Sequence, residues 1–547
     1  MALEAYSAQE ILSFFNKNKK EGLTEHGFSR LTANIGILIA NNRRKELMPL
    51  FLEMMDFCCS QIPTHKAAND FSVREILCCI LELEANKTVE QDRINGWKKQ
   101  LTDIDVNTVY NVFAKTPDDA VANWAVYTAA SEWMRHYCGL NDTKDFVSLQ
   151  FDAQLKAFDE NGMYKDPCCP MVYDTVTRGL FSFMIYFGYN GANADRMDKM
   201  LRNAARMSMK MISVNGEFPF GGRSNQFLFN EALFPIIGEY EACRYHREGN
   251  DEMAGQFRSL VDASLDHMEK RLSVKPMSHI KNRYPIETKY GCEDYGYFRK
   301  YMITVASMLY VACMMHDETI KPVPRDMTPY VTQTSDDFHK VFMQAGGYFA
   351  EWDTCADTHY DTGGLGRLHI KDAPSCICLS LDGAAESNFV VDIDPSVPFA
   401  ITAGIKENGR TLYAGSPEDK YECVEKKSDA TSAFVRFRIT VKNGKMLYED
   451  AYLNADGMTL KITGDEADTV AVQLPAFDFD GETHTDIRSD EKSVAVSCQS
   501  YVCRYETDGK IIDTGLIGAN KNGHYRLFEA IRKNQITVTI TIGKENE

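Results

Sequence analysis

Between residues 8 and 317 the apolar positions recur at i, i+3 and i+4 with few alternating stretches, a period that predicts a run of helices. The clearest cover 73–83, 121–137, 175–187, 197–212, 230–245 and 297–315. Short polar segments between them share a form: Asp159-Glu160-Asn161-Gly162-Met163-Tyr164, Asn215-Gly216-Glu217-Phe218-Pro219-Phe220-Gly221-Gly222, and Asn282-Arg283-Tyr284-Pro285. They recur about every 55 to 65 residues, one helical hairpin apart, so a ring of hairpins with these loops rimming a shared cleft is expected.

The helical period stops near Lys321-Pro322-Val323-Pro324-Arg325, where two prolines and the polar run 332–337 mark a boundary. Beyond it the period becomes two, as in 376–381, 434–441 and 535–542, with Asn443-Gly444, Asp456-Gly457 and Asp508-Gly509 as turns between strands. The expected architecture is multidomain α and β: an N-terminal (α/α) toroid of helical hairpins over residues 1–330, then a C-terminal antiparallel β-sandwich over 331–547. A chain of 547 residues also exceeds what one hydrophobic core usually organises.

Composition narrows the function classes. With 44% hydrophobic and 25% charged residues the chain has ample apolar surface to bury, which excludes disorder. A net charge of −18 argues against a nucleic-acid or anionic-membrane surface, although a few Arg and Lys gathered in one cleft can still hold an anionic sugar. No stretch reaches the roughly 18 apolar residues of a membrane span. The start, Met1-Ala2-Leu3-Glu4-Ala5-Tyr6-Ser7, has no basic segment followed by an apolar one, and the sixteen cysteines show no paired CxxC spacing. Reduced, buried thiols in the cytoplasm are the expectation, which a trimmed leader would fit equally.

Residues with chemistry gather in the loops. Asn123 and Trp124 open one helix, and Tyr173 and Asp174 stand a turn before Arg178. These suit a binding wall, but a Trp at a helix start also reads as core and an i, i+4 Asp–Arg pair as an ordinary salt bridge. The segment 221–231 sets Arg223, Asn225, Gln226, Asn230 and Glu231 behind two glycines, a set suited to an anionic polar ligand. Ser224 or Asn225 would equally serve as a helix N-cap. Residues 282–297 hold four tyrosines, three acids, Arg283 and Lys289, more than a connection needs. A tyrosine flanked by cations ionises more easily and can move protons, while the same rings could simply stack on sugar. In the sandwich, 351–369 carries Asp353, Asp357, His359, Asp361, Arg367 and His369. His359 could act as acid or base from a rim loop, a divalent metal could sit near Asp357, His359 and Asp361, or the segment could be a plain turn. No other cofactor is expected.

Three motif groups give the chain a direction: Gly222-Arg223-Ser224-Asn225-Gln226 with Asn230-Glu231-Ala232, Asn282-Arg283-Tyr284-Pro285 with Gly291 to Tyr295, and Tyr360-Asp361-Thr362-Gly363-Gly364-Leu365. In these, and in the order of its helical and β halves, the sequence resembles the heparinase II/III-like polysaccharide lyases and allied carbohydrate-active enzymes. The resemblance implies a catalytic toroid that cleaves uronate-containing oligosaccharides or polysaccharides by β-elimination. It implies Tyr295 or Tyr290 as the proton-transfer tyrosine, with Asn225, Gln226 and Arg223 neutralising the uronate carboxylate. The histidine expected beside the amide is replaced by Phe227, Leu228 and Phe229, which leaves a tyrosine or His359 as base. Two alternatives stay open. One is a glycoside hydrolase, such as a glucuronidase, using Glu293 with Glu231 or Asp174; the other is a sugar-binding protein without catalysis.

Overall fold

The computed structural model describes residues 1–224, 228–275, 277, 281–293, 298–355, 357, 359–381, 383 and 397–545, with residues 4, 5 and 298–300 described by backbone alone. Six helices, His26–Ala40, Val73–Ala85, Asn123–Tyr137, Met171–Tyr186, Phe229–Arg247 and Phe298–Met315, form an inner ring in which each packs on the next and the last closes on the first. Outside it lie Ala8–Glu21, Met48–Gln61, Gln91–Thr102, Lys144–Gln154, Ala194–Met209 and Asp251–Ser273, one before each inner helix. The sequence separates the two rings. In Phe229–Arg247 seventeen of nineteen residues are buried, as a helix covered on every side requires. Ala194–Met209 instead buries a single stripe, Ala194, Met197, Leu201, Ala204, Ala205 and Ser208, and turns its charges outward. This is the expected toroid. Among the described residues no helix is long and apolar enough to cross a membrane, and all sixteen cysteines are free thiols.

Two of the three repeated loops share one conformation. Asp159 N–H donates to the Met163 carbonyl at 2.9 Å, and Ser213 N–H to the Glu217 carbonyl at 2.9 Å. At the matching positions Gly162 and Gly216 each have φ of 79° and lie flat against the backbone of the neighbouring outer helix. A Cβ on Gly216 would sit 2.2 Å from the Ala263 carbonyl oxygen, so neither the dihedral nor the space admits a side chain. We expect Gly216→Ala to lower stability by roughly 1–3 kcal/mol, read as a reduced denaturation midpoint at unchanged slope. An unchanged midpoint would refute this account of the repeat.

The last described helix ends at Met315 and the first strand is Tyr330–Gln333. Three antiparallel sheets follow. The largest runs from Lys420–Ser428 through Ala433–Thr440, Met446–Asn454, Gly457–Thr463, Gln535–Lys544, Tyr501–Thr507 and Ser493–Cys498 to Asp486–Ser489. It shares an apolar core with a five-stranded sheet ordered Lys510–Asn520, Gly523–Lys533, Thr469–Phe479, Ala403–Glu407 and Arg410–Tyr413. Two expectations change. The run 376–381 is not a strand: Ser375–Cys378 is a 3-10 turn, closed by Ile377 N–H onto the Pro374 carbonyl, and an almost wholly apolar run has no polar face to mark a pleat. Asp508-Gly509 does not close a hairpin either, because Tyr501–Thr507 and Lys510–Asn520 belong to different sheets.

The third sheet, Tyr330–Gln333, Lys340–Ala345, Tyr348–Asp353 and Gly364–Ile370, lies between sandwich and toroid. Val341, Met343, Ala350 and Trp352 join the sandwich core, while Phe342 and Phe349 pack with Met163, Met171, Phe218 and Phe234 of the helical half. Sharing the helix-facing side are Lys340, Glu351, Asp353, Arg367 and His369, all buried. They meet Glu217, Lys281 and His267 in an ionic network: Lys281 pairs with Glu217, Arg367 lies 3.1 Å from Glu351, and Lys340 lies 2.7 Å from Asp353. All three repeated loops touch the sandwich. Asp159 accepts from the Ser335 hydroxyl at 2.6 Å, the Asn215 amide donates to the carbonyls of Ile370 and Ala373, and Arg283 N–H donates to the Asp480 carbonyl at 2.7 Å.

Candidate active site

The inner helices all begin on this docked face, and a cavity of about 140 Å³ opens among their first turns. His26 and Arg30 come from the first, Phe71 precedes the second, Asn123, Trp124 and Tyr127 come from the third, and Tyr173, Phe229 and Tyr301 from the other three. Convergent helix N-termini bring positive dipole ends to the cavity, which suits an anion, although Asn123 N–H already donates to Asp166 and Gly27 N–H to Glu25. Its walls are aromatic, which suits the apolar faces of a sugar ring. Phe71 stands edge-on to Trp124 at 4.7 Å, and Arg30 is fixed by Glu75, at 3.0 Å, and the Thr304 hydroxyl, at 3.0 Å.

At one end of the cavity the Gly221–Ser224 turn places a hydroxyl between two phenols. Ser224 holds φ of 60°, a left-handed conformation that costs a residue with a side chain about 1 kcal/mol or more. The Tyr173 hydroxyl lies 3.0 Å from Ser224 Oγ, and the Tyr301 hydroxyl donates to the same oxygen at 3.1 Å. Ser224 N–H donates to Glu293 Oε1 at 2.6 Å, and Lys521 Nζ of the sandwich is 3.5 Å from that oxygen. Glu293 Oε2 is buried with no hydrogen-bond partner among the described residues. Burial pushes the Tyr173 phenol up and the Tyr301 phenol well up, so both are protonated at neutral pH.

The sandwich adds the loop that holds His359, Tyr360 and Asp361. Asp361 is buried and accepts N–H groups from Gly222, at 3.0 Å, and Asp357, at 2.6 Å, which ties the loop to the turn. Tyr360 is half-buried; burial and the nearby Glu293 carboxylate raise its phenol while the Arg223 guanidinium lowers it. The His359 ring stands edge-on to Tyr360 at 4.5 Å. Among the described residues no three His, Cys, Asp or Glu side chains are grouped to hold a metal ion, and in the Asp357, His359 and Asp361 segment the Asp361 carboxylate is taken up by backbone N–H groups.

Several sequence candidates therefore meet: Asn123, Trp124 and Tyr173 line the cavity, Arg223 and Glu293 stand at the turn, and His359 lies against Tyr360 in the loop that Asp361 ties to it. Asn123 Nδ2 donates to Asp166 at 3.0 Å, leaving Asn123 Oδ1 buried without a hydrogen-bond partner among the described residues. Arg223 lies over the Tyr173 ring at 4.6 Å and pairs with Asp166. Others serve the interior. Asp174 and Arg178 are buried, bonded to each other at 2.8 Å, and do not line the cavity. Asn230 and Glu231 are each 1% exposed, with Glu231 set 3.8 Å from Lys281. Tyr290 is fully buried, stacked on Tyr284 with centroids 3.9 Å apart, and does not line the cavity. Arg283 lines a different cavity. Asn225, Gln226 and Tyr295 lie outside the described residues.

His26, Arg30, Tyr127 and Tyr301 line the cavity but were not among the candidates read from the sequence. His26 and Arg30 are spaced i, i+4 at the start of an otherwise apolar helix, the available signal for a polar spot on a buried face.

No protein-family model matches the sequence, and no curated protein sequence matches it. Solved structures do match. Heparinase III aligns at 8% identity over 92% of this chain and 74% of its own, with a TM-score of 0.50. A chondroitin lyase, the baculovirus envelope protein ODV-E66, aligns at 10% identity over 95% and 77%, with a TM-score of 0.44. Heparan sulfate lyase HepC from Pedobacter heparinus aligns at 9% over 98% and 89%, with a TM-score of 0.35. With its closed ring of hairpins docked on an antiparallel sandwich and its overlay on heparinase III, the chain has a heparinase-like polysaccharide lyase fold.

Proposed function

We propose that the protein is a lyase that cleaves uronate-containing oligosaccharides by β-elimination. The observation that carries this reading is the pair of buried, protonated phenols, Tyr173 and Tyr301, converging on Ser224 at the end of an aromatic cavity ringed by helix N-termini. Elimination needs three things: the uronate carboxylate held and its charge offset, a base at the C5 proton, and an acid at the departing O4. Helix N-termini and Arg223 supply positive potential for the first, with Asn225 and Gln226 completing the hydrogen bonds. The base, Tyr295 or His359, takes the C5 proton; the C–H electrons form the C4–C5 double bond, and the C4–O4 bonding pair leaves on oxygen. A phenol held in its neutral form is the acid that protonates that oxygen. The step uses side chains alone, and the small cavity favours a chain end over the middle of a polymer.

Mixing the protein with unsulfated and sulfated uronate glycans tests the reading. A lyase gives the ultraviolet absorbance of a 4,5-unsaturated uronate. Reducing sugar without that absorbance would mean a hydrolase built on Glu293, and binding without any product would mean a sugar-binding protein. The hydrolase reading is weakened by the interior positions of Glu231 and Asp174, the two carboxylates considered as its partner.

A further inference from the structure

The larger cavity of the junction, about 370 Å³, is not the one among the inner helices and shares no lining residue with it. It lies where the end of the outer helix Asp251–Ser273 and the loop at Asn215 meet the sandwich segment that follows strand Gly364–Ile370. Cations enter it from separate elements: Lys270 and Arg271 from the helix, Arg283 from a repeated loop, and Lys371 from the sandwich. Among the described residues none of these four forms an ion pair within 4 Å, although Asp266, Asp372 and Asp480 also line the cavity. Asp480 accepts N–H groups from Glu482, at 2.8 Å, and Thr483, at 2.7 Å, so it is engaged by its own turn. Cations in the last turn of a helix are ordinarily explained by its dipole, which covers Lys270 and Arg271 but not Arg283 or Lys371.

A second observation points to a ligand. His267, one turn earlier on the same helix, also lines the cavity with its side chain 10% exposed, and its Nε2 is buried with no hydrogen-bond partner among the described residues. A buried ring nitrogen without a partner is costly unless a ligand or water completes it. In a protein of net charge −18, four cations from three elements that form no ion pair with the three aspartates of the lining give the surroundings of this nitrogen a local positive potential.

We propose that this junction cavity binds a small oxyanion-bearing ligand, with Arg271, Arg283 and Lys371 contacting the anionic group and His267 Nε2 completing its hydrogen bonds. The shared chemistry is a carboxylate, sulfate or phosphate, carried on an acidic sugar or free as an inorganic ion. Its volume lies within the range of small-molecule sites. The site stands apart from the lyase reading, since its test involves no turnover.

The full-length protein is titrated with sodium sulfate, sodium phosphate, glucuronate and, as a neutral control, glucose, following the thermal midpoint and the heat of binding at fixed ionic strength. Saturable stabilisation by at least one of the three anions and none by glucose is expected, weakening as salt rises. Preference for glucuronate over the inorganic ions would identify a sugar as the source; the reverse would identify a free oxyanion. Arg271→Gln and Lys371→Gln should each raise the half-saturating concentration roughly tenfold, and Arg271→Lys should retain part of the affinity. These side chains are half-buried or exposed, so the variants fold. Absence of saturable binding by all three anions would overturn the proposal. So would binding that is unchanged in both Gln variants, because the anion would then sit elsewhere.

Discussion

Replacing Tyr301 with Phe is expected to lower turnover of a uronate glycan by roughly 10²–10⁴-fold while leaving its affinity within a few-fold. The hydroxyl is the only atom group removed; the ring stays in the wall of the cavity, where it packs at 5.7 Å from Phe229. Tyr173→Phe should behave alike, because both phenols donate to or accept from Ser224 Oγ and form one proton-delivery unit. The double variant should therefore cost less than the product of the two single losses. Since burial raises both phenols above the ordinary tyrosine value of 10.0, they stay protonated through the alkaline range, and no loss of acid function is expected until the pH exceeds about 10. Full turnover in Tyr301→Phe would remove it as proton donor. The same substitution at Tyr295 asks a separate question. A comparable loss there, with binding retained, would mark Tyr295 as base; full activity would leave His359 for that part.

The second large effect concerns the buried ions between toroid and sandwich. Lys281→Met should destabilise the protein by about 3–5 kcal/mol, because it leaves Glu217 and Glu231 in the interior without the ammonium they face. Glu217 is held well below the ordinary carboxylate range against the cost of its burial, chiefly by Lys281, with help from Arg367. Arg367 lies 3.8 Å away and can carry part of that load, which keeps the lower end of the range in view. Denaturant unfolding reads the effect directly. A change below 1 kcal/mol would show that the network is no support for the docking.

The same network has a pH signature. Burial pushes both His267 and His369 down to about 3, so folded protein keeps them neutral where the unfolded chain, with histidine at 6.5, takes up a proton. Below 6.5 the unfolded state binds the extra proton, and each histidine costs about 1.4 kcal/mol of stability per pH unit until the folded value near 3 is reached. Buried carboxyls carry the opposite sign, Asp361 and Glu241 being pushed up to about 7 by burial, so the total profile mixes both. A comparison isolates the term: relative to the parent, His369→Leu should gain stability progressively as pH falls from 6.5. A constant difference across that range would refute it.

The helical and β halves were legible because their information is local. A 3.6-residue period and a two-residue period differ over a dozen positions, and a glycine that must adopt positive φ, as Gly162 and Gly216 do, marks the same turn each time it recurs. The three repeated loops all meet the sandwich, while the cavity is lined by the first turns of the inner helices rather than by the loops themselves. Which loop residues face the cavity was not legible in the same way. Asp174 and Tyr173 are adjacent in sequence, yet one is locked in the core to Arg178 and the other lines the cavity, because successive helical positions turn by about 100° and only packing fixes which side faces inward. Tyr290 and Tyr301 carry the same chemistry. One is stacked away on Tyr284, and the other reaches Ser224 across 77 residues of chain. The sequence by itself determined a ring of hairpins followed by a sandwich, and a supply of phenols, cations and carboxylates in the connecting loops. Only the tertiary structure decided which of them meet, since closing the ring and docking it on the sheet brings helix N-termini and sandwich loops together, and that long-range geometry leaves no local period in the chain.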